Sequence, residues 1–173
     1  MAESLEAVGN QHLLIDYGSI IKIGQQFTLG SENLMILGKI RLVYEDGFWD
    51  EWFAQELAHG GERWIQEDDG SFVLFFQKKT FTTHIKWDDV IVGEETDFQG
   101  EWEPVFVTSK SHASIEGGEG ELPFRIVPGE PADFIDGIWQ GSPVSLEMLP
   151  DAKPFFVGVP INTDTFIEII QKS

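Results

Sequence analysis

The run Trp49-Asp50-Glu51-Trp52 sets two carboxylates between two indoles. Carboxylates can exchange protons with a substrate or hold a cation, and indole faces attract cations through the ring quadrupole. Neighbours on a strand point to opposite faces, so an extended segment separates Asp50 from Glu51. One face then carries Trp49, Glu51 and Phe53, and the other Phe48, Asp50 and Trp52. With Trp64 and Glu121, the run makes up the candidate binding surface: Trp49, Asp50, Glu51, Trp52, Trp64 and Glu121. One tryptophan of the run is expected to fill the core while the other lies against a partner.

Other chemically capable residues form no constellation. Glu119 and Glu121 alternate and share a strand face, but a chain with 30 acids produces such spacing by accident. His12, His59, His84 and His112 are scattered without a metal-binding spacing. Glu67-Asp68-Asp69-Gly70 lacks the alternate oxygen ligands and closing glutamate of a calcium loop, and reads as an acidic hairpin tip. No serine sits in a nucleophile elbow, and no Lys-Ser or Lys-Thr follows Gly117-Gly118-Glu119-Gly120 as a phosphate loop requires. The expectation is a protein that is not an enzyme, with no catalytic residue, metal ligand or cofactor.

The elements that position these residues read as strands. Apolar residues recur with a period of two over Gln26 to Leu29, Leu34 to Leu37, Lys39 to Tyr44, Phe48 to Ala54, Arg63 to Gln66 and Ser71 to Gln77. Two shorter strands, His12 to Ile15 and Ser19 to Ile23, are expected around a turn at Asp16-Tyr17-Gly18. Asp46-Gly47, Asp69-Gly70 and Asp136-Gly137 supply the positive φ angles of tight hairpins. The second half echoes the first: Gly30 and Gly47 are as far apart as Gly100 and Gly117, and Met35-Ile36-Leu37 falls opposite Val105-Phe106-Val107. Phe166, Ile169 and Ile170 follow Asp164 at helical spacing, which predicts a C-terminal helix over Thr163 to Lys172.

The fold class is therefore all-β, with two consecutive, related small antiparallel sheets or barrel-like halves packed together and a short C-terminal helix. The expected division is an N-terminal segment 1–19, a first β half 20–77, a connector 78–91, a second β half 92–161 and the helix 162–173. The connector holds Lys78, Lys79, His84 and Lys86 and reads as a strand with solvated lysines.

Several of these segments resemble a known family. Trp49-Asp50-Glu51-Trp52 is similar to the Trp-x-Glu-aromatic motif of the bacterial domain-of-unknown-function 4178 family. Gly61-Glu62-Arg63-Trp64-Ile65 with Gly70 resembles its Trp-Leu strand and following turn, Gly120-Glu121-Leu122-Pro123-Phe124 its Gly-Glu-Leu-Pro-aromatic signature, and Phe156-Val157-Gly158 its closing strand. Ile65 and Phe124 stand where members often carry Leu and Trp. The resemblance spans about Ile20 to Ile161 and implies an uncharacterised β-rich domain, often encoded near genes of envelope stress or polyamine metabolism. It carries over no catalytic residue.

Charge narrows the partners. The chain has 30 acids against 11 Lys and Arg, a formal net charge of −19, so a phosphate backbone meets net repulsion and direct nucleic-acid binding is not expected. There is no cysteine, the first residues carry acids where a secretory signal carries lysines, and no apolar run is long enough to span a bilayer. A cytoplasmic protein without membrane insertion is expected. The first functional expectation is a non-enzymatic protein-interaction module, in a membrane-stress or defence-related assembly, with another protein as partner. The alternative is a β domain binding a small cationic, polyamine-like ligand through acids and tryptophans, and a third reading is an acidic nucleic-acid mimic. The sequence leaves the oligomeric state open.

Overall fold

The computed structural model describes residues 6–8, 14–98 and 103–173, and the chain is mostly β with one short C-terminal helix. The strands are β1 (Glu6–Val8), β2 (Gln26–Leu29), β3 (Glu32–Tyr44), β4 (Gly47–Glu56), β5 (Glu62–Asp68), β6 (Ser71–Gln77), β7 (Glu95–Thr96), β8 (Val105–Leu122), β9 (Pro131–Trp139), β10 (Ser142–Glu147) and β11 (Phe155–Ile161); α1 (Thr163–Lys172) ends the chain. No helix among the described residues is long and apolar enough to cross a membrane.

Eight strands close an antiparallel barrel in the order β3-β4-β5-β6-β11-β10-β9-β8, with β8 returning to β3. Each run of four consecutive strands is a meander, and the two meet at two seams, β6 with β11 and β3 with β8. The expectation of two small sheets or barrels packed together gives way to one barrel drawing strands from both halves. Edge pairing is the physical reason: an isolated four-stranded meander leaves two rows of unpaired N–H and C=O groups, and closure pairs both. The matched glycines are not equivalent, since Gly47 opens β4 at φ 153° while Gly117 lies inside β8 opposite Arg41. Met35-Ile36-Leu37 and Val105-Phe106-Val107 do both lie early in the first strand of their meander, each next to a bulge.

Glycine makes the β3–β8 seam close enough to pair. Gly38 lies opposite Gly120, and a Cβ on Gly38 would meet Glu121 O at 2.2 Å, one on Gly120 Leu37 O at 2.3 Å. The segment Gly117-Gly118-Glu119-Gly120 is thus a strand that touches another strand's backbone. The bulge at Leu37 exchanges the faces of β3, so Leu34 and Ile36 point outward and Ile40 and Leu42 inward.

Both barrel faces are buried over much of their area. The interior holds Ile40, Leu42, Trp49, Phe53, Trp64, Phe75, Ala113 and Phe134. One outer face carries Leu34, Ile36, Trp52, Ile65, Phe72 and Leu74 beneath α1, whose Phe166 meets Phe27 and Phe72 edge-on. Helix α1 starts where Asn162 accepts a bond from the Thr165 N–H, as its amphipathic spacing predicts. The other outer face carries Val105, Val107, Ile135, Val144, Leu146 and Phe155 beneath Phe81, Ile85, Val90 and Phe98. The connector is therefore no strand; it is a packed cover containing a 3-10 turn at Trp87–Asp89, and its Lys79, His84 and Lys86 are exposed, as expected for solvated lysines.

Two further expectations change. Asp46-Gly47 and Asp69-Gly70 stand at hairpins, with Asp69 at φ 47° and Gly70 at φ 79°, but Asp136-Gly137 lies within β9. Gly137 is needed there because a Cβ would strike Phe106 O and Val105 Cγ1, each at 2.5 Å. The β9–β10 hairpin instead turns at Gln140-Gly141, φ 49° and 79°. Residues 14–23 form no strand, and His12 lies outside the described residues. The segment is a strap across the outer face: Arg41 donates to Ile15 O and its guanidinium lies against the rings of Tyr17 and Phe48.

Candidate functional site

Strand alternation decides which acids enter the barrel. On β4, Trp49, Glu51 and Phe53 share the inward face, while Asp50 and Trp52 face out. Glu51 therefore occupies a core position between two buried aromatics. On β9 the same phase puts Asp136 in line with Ala132 and Phe134, and on β10 it puts Glu147 in line with Ser145. Strands β4 and β10 stand diametrically opposite in the ring, so carboxylates converge from facing walls.

They line a cavity of about 490 Å³. Trp49, Trp64, Phe75, Phe134 and Phe156 form its aromatic wall, and Gln66, Gln77 and Ser145 add neutral polar groups. Phe124, from the segment after β8, stacks on Trp64 with ring centroids 5.9 Å apart and borders the opening. Arg125 is the single basic residue among the lining residues.

Burial pushes Glu51 up to about 7, reinforced by Glu147 and Asp136 and opposed by the Trp49 Nε1–H, which donates to Glu51 Oε1 at 3.0 Å. Burial likewise pushes Glu147 up to about 7, with Glu130 adding repulsion. Asp136 is raised by burial against hydrogen bonds from Ser145 and Ser109. All three are half-buried by accessible surface, and the barrel wall and its aromatic lining surround them closely enough for desolvation to be the largest cause of each shift. The ion pairs among the described residues join Lys22 to Asp16, Arg41 to Asp50 and Glu116, Arg63 to Glu32, and His112 to Asp133. None reaches a cavity carboxylate.

No group of three or more His, Asp and Glu side chains among the described residues is gathered closely enough to hold a metal ion.

The six residues singled out from the sequence do not form one surface. Trp49, Glu51 and Trp64 meet in the cavity. Asp50 is buried on the outer face in a two-toothed pair with Arg41, at 2.7 and 2.9 Å. Trp52 is buried beside it, its Nε1–H donating to Glu67 and its ring 4.7 Å from Lys39 Nζ. Glu121 is exposed on β8 and takes no part in the cavity lining. The expectation that one tryptophan of the run lies exposed for a partner gives way to burial of both, Trp49 at 6% and Trp52 at 3% exposure, and Trp64 is buried as well at 9%.

No family model, curated protein or solved structure matches the chain. The cavity must therefore be read from its own chemistry. Asp136, Glu147, Gln66, Gln77 and Phe156 are the residues that sequence reasoning passed over. Asp136 had a signal, its period-two phase with Ala132 and Phe134, which the neighbouring Gly137 disguised as a turn.

Proposed function

We propose that the protein binds a small organic cation inside the barrel. The observation that supports this reading is the set Glu51, Asp136 and Glu147 in an aromatic-walled cavity, with no ion-pair partner among the described residues. Desolvating a carboxylate is costly unless a cation accompanies it, so burial favours the protonated forms of these acids and a bound cation favours their ionised forms. Trp49, Trp64 and Phe156 line the cavity, and aromatic rings attract an ammonium or guanidinium group. The volume falls within the range of about 300–1,000 Å³ common for small-molecule sites, and eight-stranded barrels are wide enough for one such ligand.

For the reading as a protein-interaction module, the Trp49 to Trp52 run offers a partner no exposed indole, since both tryptophans are buried. Kinship with the domain-of-unknown-function 4178 family is proposed on the four ordered segments alone, and a cytoplasmic setting on the absence of cysteine. Titration calorimetry with pentylamine at about pH 8 tests the ligand reading. Saturable binding is expected, weakened at least about tenfold by Glu51→Gln, a loss of the size expected for one charge-assisted contact. Absence of binding at millimolar amine would sink it.

A further inference from the structure

The carboxylates lining the cavity lie at two depths, which bears on what kind of cation fits. Strands β5 and β9 run in the same direction in this alternating barrel, and Glu62 and Glu130 stand at or just before their first residues. Both therefore border the same opening, where the β8–β9 and β10–β11 loops also lie and which Phe124 and Arg125 flank. Glu51 pairs across β4 and β5 with Gln66, four residues further along β5 than Glu62. Glu147 pairs with Phe134, four residues beyond Glu130, and Asp136 lies two deeper still. Four residues of strand, tilted as in closed barrels, correspond to roughly 10 Å of depth.

Apolar and neutral groups fill the interval. Trp64 separates Glu62 from Gln66 along β5, and Ala132 and Phe134 separate Glu130 from Asp136 along β9. Neither Glu62 nor Glu130 uses its carboxylate in an ion pair among the described residues. We infer that the ligand is a linear organic dication, with one ammonium or guanidinium group among Glu51, Asp136 and Glu147, an apolar spacer along Trp64 and Phe134, and a second cationic group between Glu62 and Glu130. The inference rests on the proposed binding of an organic cation in this cavity. Two linked charges bind as a pair because the second contact is intramolecular once the first is made. Arg125 opposes the outer charge and tunes its binding.

Calorimetry with diaminobutane, diaminohexane and diaminooctane, against pentylamine and octylamine, tests the inference on the intact protein. The expected result is a diamine advantage of at least about tenfold over the monoamine of similar length, with a preferred spacer. Glu62→Gln and Glu130→Gln, at half-buried and exposed positions, erase that advantage, read as the ratio of diamine to monoamine affinity within each variant, while Arg125→Gln increases it. Equal affinity for diamines and monoamines would overturn the dication inference and leave the cation site standing. Weaker diamine binding in Arg125→Gln would overturn it too, because removing a cation beside the outer site should favour a second ammonium there. Failure of every amine to bind would remove the cation site itself.

Discussion

Glu51 and Glu147 give the protein an unusual dependence on pH. Each is pushed from 4.5 to about 7 in the folded protein, so between these values the folded chain holds protons that the unfolded chain releases. Their contribution to stability is fully present below about pH 4.5 and is lost as pH rises through about 7. Asp136, also raised by burial, acts in the same direction. Glu56 and Asp16 act oppositely, because the Ala58 and Gly18 N–H groups hold them low, but their contribution is lost only in more acidic solution. The urea midpoint is therefore expected to fall from about pH 5 to about pH 8, and Glu51→Gln with Glu147→Gln to flatten the fall. A midpoint that rises over this range would contradict the burial of these acids. At this scale the sequence was half legible: the alternation of Trp49, Glu51 and Phe53 separated Glu51 from Asp50, yet nothing local said which face was inside.

The elements explain why. Strand alternation is informative when one face is wet, and here α1 covers one outer face and the 78–98 cover another, so both phases of several strands read as apolar. Six expected strand segments lie within β2 to β6, with Leu34 to Leu37 and Lys39 to Tyr44 fused into one bulged β3. The helix was legible from the spacing of Phe166, Ile169 and Ile170, whereas Ser145 and Glu147 on β10 look like a solvent face and line the cavity instead. At the β3–β8 seam, Gly38→Ala is expected to cost at least about 3 kcal/mol, since its Cβ would fall 2.2 Å from Glu121 O in backbone that cannot retreat without unpairing the strands. Gly30→Ala, at φ 61° with nothing within 4 Å, is expected to cost only about 1–2 kcal/mol from the left-handed backbone. Equal losses in chemical denaturation would show that the seam is not the constraint.

Closure of the barrel makes the molecule one cooperative unit. Composition and periodicity indicated an all-β chain, but long-range pairing of β6 with β11 and of β3 with β8 has no signature in local sequence, so two sheets were the natural expectation. With both meanders sharing one interior, calorimetric unfolding is expected as a single transition, and a fragment of residues 20–91 is expected not to fold. Two separable transitions would instead mean two units. The same closure confines the carboxylates with aromatic rings, and it links the fold to the proposed ligand. Carbon-13 titration of the Glu51 and Glu147 side-chain carboxyls, with and without saturating diaminohexane, tests that link most directly. Both groups are predicted to titrate near 7 in the free protein and to move downward on binding as the cation stabilises their ionised forms. Ordinary values near 4.5 in the free protein, or values that the ligand leaves in place, would contradict a cation site inside the barrel.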